Sequence, residues 1–287
     1  MTDTATDHLA YYDTLAARFD AAAPHYDMQF GPPSGSRPGN RLLTWLREEH
    51  LALLRDLLPQ DASVLDIGCG TGIEALALVQ EGYSVLGIDI SPAMVRQAQI
   101  KIAAFGIRFG ALFKTLPAGQ LGALDERGPF QGAYASLGTL NTEPDLPAVA
   151  AALHDRLAPG APFVATVMNR RCWFEIMYNL RRAQPGKTLD RGGSWDESRA
   201  GASDVVAPVQ FYTPDAFAGP FAQHFTVERV IAFPLLLPPV HMAEVYHARD
   251  KHFDRRLGRE RRLREWPVLR EAGDHFLIVL RHSAPAA

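Results

Sequence analysis

The sequence predicts an α/β fold, a parallel sheet covered by helices on both faces. Three observations predict it. From residue 62 onward, short apolar runs alternate with segments of helical character. Those runs are continuously apolar rather than alternating, as strands are when both faces of a sheet are buried. The first run opens into "DIGCGTG" (66–72), a glycine-rich strand-to-helix turn.

Ahead of the sheet, "YYDTLAARFDAAAPHYD" (11–27) has Leu15, Phe19 and Ala22 at helical spacing and ends near Pro24. A Gly/Pro-rich loop, "FGPPSGSRPGN" (30–40), separates it from "RLLTWLREEHLALLRDLL" (41–58), whose leucines form one stripe. The expected strands are 62–68, 83–89, 107–113, 130–138 and 161–168, with helices at 72–81, 91–104, 117–125 and 145–157. Ser91 and Pro92 mark one helix start, a hydroxyl N-cap followed by proline at the first helical position. Residues 169–210 read as irregular. Two late strands follow at 224–233 and 274–282, with a charged helical stretch at 242–266 between them. The expected organisation is N-terminal helices (1–59) covering the site. The main domain (60–287) then carries insertions at about 169–210 and 234–268 that form a cap.

The 287 residues are enough for one large domain with insertions. At 47% hydrophobic and 21% charged, with a net charge of -3, the chain has no general pull toward nucleic acid or an anionic membrane. No run approaches the ~20 apolar residues of a membrane span. "IAFPLLLPPV" (231–240) is short and broken by three prolines, and the N-terminus lacks the pattern of a secretory signal. Two cysteines, Cys69 and Cys172, give neither a disulfide framework nor a zinc pattern, and no metal site is expected. The expectation is a cytoplasmic monomer or homodimer with a small-molecule partner.

Gly68, Gly70 and Gly72 are spaced G-x-G-x-G, not the G-x-G-x-x-G of a dinucleotide turn. Asp66 weighs more. A carboxylate at the mouth of the turn repels a pyrophosphate but attracts an ammonium. Asp89 ends the next strand, placed to accept both ribose hydroxyls. A ligand with an amino-acid moiety, an adenosine and no phosphate fits both, and that ligand is S-adenosyl-L-methionine.

"VLDIGCGTG" (64–72) followed by "VLGIDISPAMVRQA" (85–98) resembles the first motif and acidic partner of the class I S-adenosylmethionine-dependent methyltransferases. The resemblance covers roughly 60–170, including "YASLGTLN" (134–141) and "LAPGAPFVATVM" (157–168) as fourth and fifth strand ends. It implies a Rossmann-like seven-stranded sheet, mostly parallel, with the last strand antiparallel. It implies cofactor contacts from Asp66, Gly68, Cys69, Gly70, Gly72, Asp89, Ile90, Met94 and Ser136, with S-adenosyl-L-homocysteine as product. "ARFDAAAPHYD" resembles the N-terminal helix that folds over the cofactor in many small-molecule members, with Tyr26 closing the methionine end. Pro117 stands where the family often has an adenine-binding acid, which leaves that task to backbone near Ala118 and Gly119.

Duller readings stand beside several of these. Cys69 reads as a small filler, and Tyr26 as either lid or core. Trp173, Phe174 and Tyr178 can be a helix packing stripe or an acceptor box. Asn141, Trp173 and His241 are the candidate acceptor contacts, and His241 and Tyr26 the candidate catalytic groups. The expected function is methyl transfer to a small, partly apolar metabolite, such as one of specialised metabolism, at an O, N or C atom. A non-methylating reaction on the same fold, such as a cyclisation, and a non-catalytic cofactor-binding partner remain the alternatives.

Overall fold

The computed structural model describes residues 3–30, 41–183, 191, 195–200, 205–240, 242 and 253–283. Among them the chain forms strands β1 (Ser63–Ile67), β2 (Ser84–Asp89), β3 (Ala111–Thr115), β4 (Gly132–Ala135) and β5 (Pro162–Met168). These are followed by β6 (Asp196–Arg199), β7 (Val206–Val209), β8 (Phe225–Phe233) and β9 (His275–His282). Seven of them make one sheet in the order β3-β2-β1-β4-β5-β9-β8, and β6 and β7 form a separate hairpin. β1 pairs in parallel with both β2 and β4, and β4 in parallel with β5. β9 runs antiparallel to β5 and β8, so the last strand is the reversed one. The chain winds outward from β1 to β3 and then restarts at β4 on the other side of β1. That reversal opens a crevice at the carboxyl ends of β1 and β4, where open sheets of this kind bind ligands.

Helices α1 (Asp3–Ala22), α2 (Arg41–Leu57), α3 (Ile73–Gln80), α4 (Pro92–Ala104), α5 (Leu146–Arg156), α6 (Trp173–Arg181), α7 (Pro214–Ala218) and α8 (Phe253–Leu263) surround the sheet. Leu43, Leu46 and Leu54 of α2, Leu78 of α3 and Ala98 of α4 pack with Val64, Tyr134 and Val164 on one face. Val149 and Leu153 of α5 and Phe217 of α7 pack with Leu65, Ala133, Phe163 and Phe276 on the other. Period-two strands buried on both sides explain the continuously apolar runs. Of the segments expected to cover the site, α2 packs as a wall of the body, while α1 and the 3-10 turn Ala23–Phe30 that follows it lie against α4.

Other departures from expectation have local causes. β3 starts at Ala111 rather than 107, because Gly110 takes a left-handed φ of 94° just before it. The stretch expected as helix 117–125 is a 3-10 turn, Ala118–Ala123, interrupted by Gly119 and Gly122. The stretch 169–210 is more regular than it reads, containing α6 and the β6–β7 hairpin. Ser91 caps α4 as expected, its Oγ accepting the Met94 N–H at 3.0 Å with Pro92 next. No described helix is long and apolar enough to cross a membrane.

Candidate cofactor site

The glycines after β1 hold the chain in a left-handed conformation that other residues adopt only at a cost. Gly68, Gly70 and Gly72 have φ of 73°, 52° and 72°. The Gly68 and Cys69 N–H groups donate to the Ile88 carbonyl at 2.8 and 2.9 Å, which folds the turn back over the end of β2. A Cβ on Gly68 would lie 2.1 Å from Thr139 Cγ2, whereas one on Gly70 would meet only Tyr26 Cε1, at 4.0 Å. The open side of the turn is thus at Gly70. Beside it is a cavity lined by residues including Tyr26, Arg47, Gly70, Glu74, Asp89 and Ser136.

Asp89 reaches into this turn. Its Oδ2 accepts the Gly70 N–H at 2.8 Å and its Oδ1 the Ser91 N–H at 2.9 Å. Burial raises its pKa to about 6, against those two backbone hydrogen bonds, which pull it down. Asp66, the register partner of Tyr134, is buried behind the turn with Oδ2 lacking a hydrogen-bond partner. Burial first, and the charge of Glu74 second, push its pKa well above the usual carboxylate range, while Tyr134 and Arg47 oppose that rise. Glu74 makes a buried ion pair with Arg47, Nε to Oε1 at 2.6 Å. The Cys69 thiol is raised by burial, as suits a filler and not a nucleophile.

The cover is tied down by acids. Ser91 Oγ and the Ala93 N–H both donate to Asp20 Oδ1, at 2.5 and 2.9 Å. Asp27 receives Thr71 Oγ1 at 2.5 Å and pairs with Lys101 Nζ at 2.7 Å. Tyr12 donates to Glu143 Oε1 at 2.7 Å. Arg18 reaches the β6–β7 hairpin through Glu197, at 2.6 Å. Tyr26 is thereby held over Gly70, its hydroxyl raised by burial to about 12.

Of the residues singled out from sequence, the cavity lining brings together Tyr26, Gly68, Cys69, Gly70, Asp89, Met94 and Ser136. Asp66, Gly72 and Ile90 stand behind or beside it. Gly72 is packed against Ala98. Ala118 and Gly119 are outside the lining, and the Gly119 N–H is already donated to Glu143 Oε2 at 2.8 Å. Asn141, expected as an acceptor contact, is not among the lining residues. It is fully buried, and its amide bonds the Met168 N–H, the Met168 carbonyl and the Gln210 carbonyl at 2.8, 3.1 and 2.6 Å. Trp173, expected as an acceptor contact, is 52% exposed at the start of α6 and outside the cavity lining. His241 lies outside the described residues, as do His247 and His252.

Arg47 and Glu74 escaped the sequence reading. A signal existed: Leu43, Arg47, His50 and Leu54 recur at helical spacing, so α2 carries two polar residues on its apolar stripe.

Residues 40–225 match the family model described as "Methyltransferase domain". The chain belongs to the methyltransferase domain family. One curated relative, the ubiquinone biosynthesis O-methyltransferase of Alkalilimnicola ehrlichii, is 28% identical over 172 residues, 59% of this chain and 66% of that protein. The match thus spans just under two thirds of that relative's length. Among solved structures, the 1,6-didemethyltoxoflavin-N1-methyltransferase of Burkholderia thailandensis, with S-adenosylhomocysteine bound, aligns over 95% of this chain and 90% of its own. Its TM-score is 0.52 at 17% identity. The [4+2]-cyclase SpnF aligns over 96% and 97%, at a TM-score of 0.58 and 15% identity. These likenesses establish the fold.

Proposed function

We propose that the protein transfers a methyl group from S-adenosylmethionine to a small, partly apolar metabolite. The observation that carries this reading is the orphaned carboxylate oxygen of Asp66, buried behind a glycine turn whose open side is at Gly70. An unpaired buried carboxylate is costly, and an amino group of the cofactor is the partner it lacks. Asp89 accepts ribose hydroxyls from the neighbouring strand end. Arg47 is the cation in the lining that suits the cofactor's own carboxylate. Met94 and Tyr26 supply apolar surface on either side.

When bound, the cofactor supplies a methyl group already activated on a sulfonium. What remains for this chain is to hold the acceptor in line and keep water out. The cover does the second, through Phe19 and Tyr26. Ser136, Thr139 and Thr142 face the same cavity as Leu137 and Ala200, a lining that offers hydroxyl contacts on an otherwise apolar wall. Tyr26 keeps its proton at neutral pH, so it serves as a hydrogen-bond donor and not as a base.

The test is incubation with a metabolite extract and a methyl-labelled donor. The expected result is one labelled product heavier by one methyl, with an equal amount of S-adenosylhomocysteine. A product of unchanged mass would replace transfer with a non-methylating reaction. Binding of the cofactor without turnover of any acceptor would point to a partner role.

A further inference from the structure

Besides Ser136 Oγ in the cavity lining, three buried polar atoms near the cofactor site have no hydrogen-bond partner among the described residues: Asp66 Oδ2, Tyr134 Oη and His50 Nε2. They are neighbours by construction. Asp66 and Tyr134 are register partners on adjacent parallel strands, and Tyr134 packs in the cluster that faces α2. Thr166 follows two residues after Val164, the register partner of Tyr134, and so lies on the same face of β5. His50 descends from α2 onto this row. Its Nδ1 is 2.8 Å from Thr166 Oγ1, and its ring stands edge-on to the Tyr134 ring at 5.9 Å.

The three orphans are chemically complementary. If Thr166 donates to Nδ1, then His50 carries its proton on Nε2 and has a donor to spare. Tyr134 can accept from that donor and donate onward. Asp66, as a carboxylate, needs a donor. The row therefore contains what a donor chain ending on Asp66 requires. His50 stays neutral in it, since burial lowers its pKa to about 4.

We propose that Tyr134 and His50 are positioning residues that stabilise Asp66 as a carboxylate once the cofactor's amino group is seated, so that seating it is coupled to the loss of one proton from Asp66. This rests on the cofactor reading above. Without ligand, burial with no partner for Oδ2 and the charges of Glu74 of α3 and Asp89 of β2 favour the protonated form of Asp66, against Tyr134 and Arg47 of α2, with Cys69 beside it. When the ammonium arrives, the Asp66 O–H bond breaks and the proton passes to solvent. The ammonium takes its place, and Tyr134 stabilises the new carboxylate.

The test compares S-adenosylhomocysteine with 5′-methylthioadenosine, which has the adenosine but no amino-acid end. Asp89 titrates near the same range and acts on both ligands, so the ratio of their affinities isolates Asp66. Calorimetry from about pH 5.5 to 9, in buffers of different ionisation enthalpy, gives affinities and protons released. For the wild type, the ratio should fall about tenfold per pH unit on the acid side of one midpoint. About one more proton should be released with S-adenosylhomocysteine than with 5′-methylthioadenosine. Tyr134→Phe keeps the ring and removes the donor. It should move the midpoint to higher pH, with the ratio several-fold lower near pH 7, restored near pH 9, and the 5′-methylthioadenosine profile unchanged. His50→Gln should shift the midpoint the same way by less, and carries the test if Tyr134→Phe does not fold. Equal proton release for the two ligands in the wild type would overturn the proposal, as would Tyr134→Phe and His50→Gln profiles that superimpose on the wild type. If neither ligand binds the wild type, the cofactor reading itself falls.

Discussion

Asp89 Oδ2 accepts the Gly70 N–H at 2.8 Å, so the strand-end carboxylate and the middle glycine of the turn are one unit although they stand 19 residues apart. Asp89 thus shapes the turn it works beside. Asp89→Ala should weaken S-adenosylhomocysteine binding by about 1–3 kcal/mol, through lost ribose contacts and a loosened Gly70. The pH dependence has a definite sign. Burial raises the Asp89 pKa to about 6 in the fold, above its unfolded value near 4. Its contribution to stability is therefore present below about pH 4 and is lost as pH rises through 6. Affinity for 5′-methylthioadenosine runs the other way, weakening as pH falls through 6. Melts and calorimetry at about pH 5 and 7.5 should show both trends, and Asp89→Ala should flatten them.

The cover should open more readily when its acids are removed. Asp27 joins Lys101 and Thr71, but its side chain is half exposed, so the pair is worth only about 0.2–1 kcal/mol. Asp27→Ala should therefore leave the melting temperature nearly unchanged. Stopped-flow release of S-adenosylhomocysteine should become about two- to five-fold faster. Added salt should speed release from the wild type and have little effect on the variant.

Arg47 and Glu74 behave differently because both are buried. Removing one charge strands the other, at a cost of about 3–5 kcal/mol. Arg47→Ala should lower stability by that amount in urea titrations. Arg47→Met with Glu74→Leu should recover most of it by replacing the pair with apolar bulk. If Arg47 also holds the cofactor carboxylate, the double variant should fold well and still bind S-adenosylhomocysteine poorly. Its affinity for 5′-methylthioadenosine should stay near wild type.

Asn141 tests the line between acceptor contact and scaffold. Its amide fastens the end of β5 to the residue after β7 through Met168 and Gln210. Asn141→Ala removes three hydrogen bonds to backbone, two of them to Met168, and it should cost about 2–4 kcal/mol of stability. Trp173→Ala should change turnover by less than about twofold, because the ring is exposed away from the cavity. A stable Asn141→Ala protein with lost turnover would restore its role in acceptor binding.

These residues also show what the sequence can and cannot convey. Asp66, Gly68, Gly70 and Asp89 were legible because the turn and the strand end are local, and each needs a specific residue type. The sheet was legible from its apolar runs, and its reversed last strand from the family resemblance. The backbone bonds of Asn141 were hidden because its partners are 27 and 69 residues away, and a polar residue in the turn after a strand looks alike whether it binds ligand or backbone. The tethers of the cover were hidden for the same reason. Asp20 and Asp27 are ordinary helix-surface acids until α1 and its turn dock on α4.

Gly68 and Gly70, two residues apart with the same sign of φ, should fail in different ways when changed to alanine. Both substitutions force a side chain into left-handed backbone, at about 1–2 kcal/mol. Gly68→Ala adds a collision, since its Cβ would lie 2.1 Å from Thr139 Cγ2 and 2.6 Å from Thr139 Oγ1. Thr139 opens the 3-10 turn that follows β4 and is not free to retreat, its Oγ1 donating to the Ser136 carbonyl at 2.9 Å. Gly68→Ala should therefore destabilise the fold by more than the backbone term alone. Gly70→Ala points its methyl into the cavity, where Tyr26 at 4.0 Å is the sole neighbour within reach. It should melt within a few degrees of the wild type and lose cofactor affinity by at least tenfold. Thermal melts with calorimetry on both variants separate these costs. If Gly70→Ala binds S-adenosylhomocysteine normally, the ligand does not approach the backbone there, and the open side of the turn has to be reassigned.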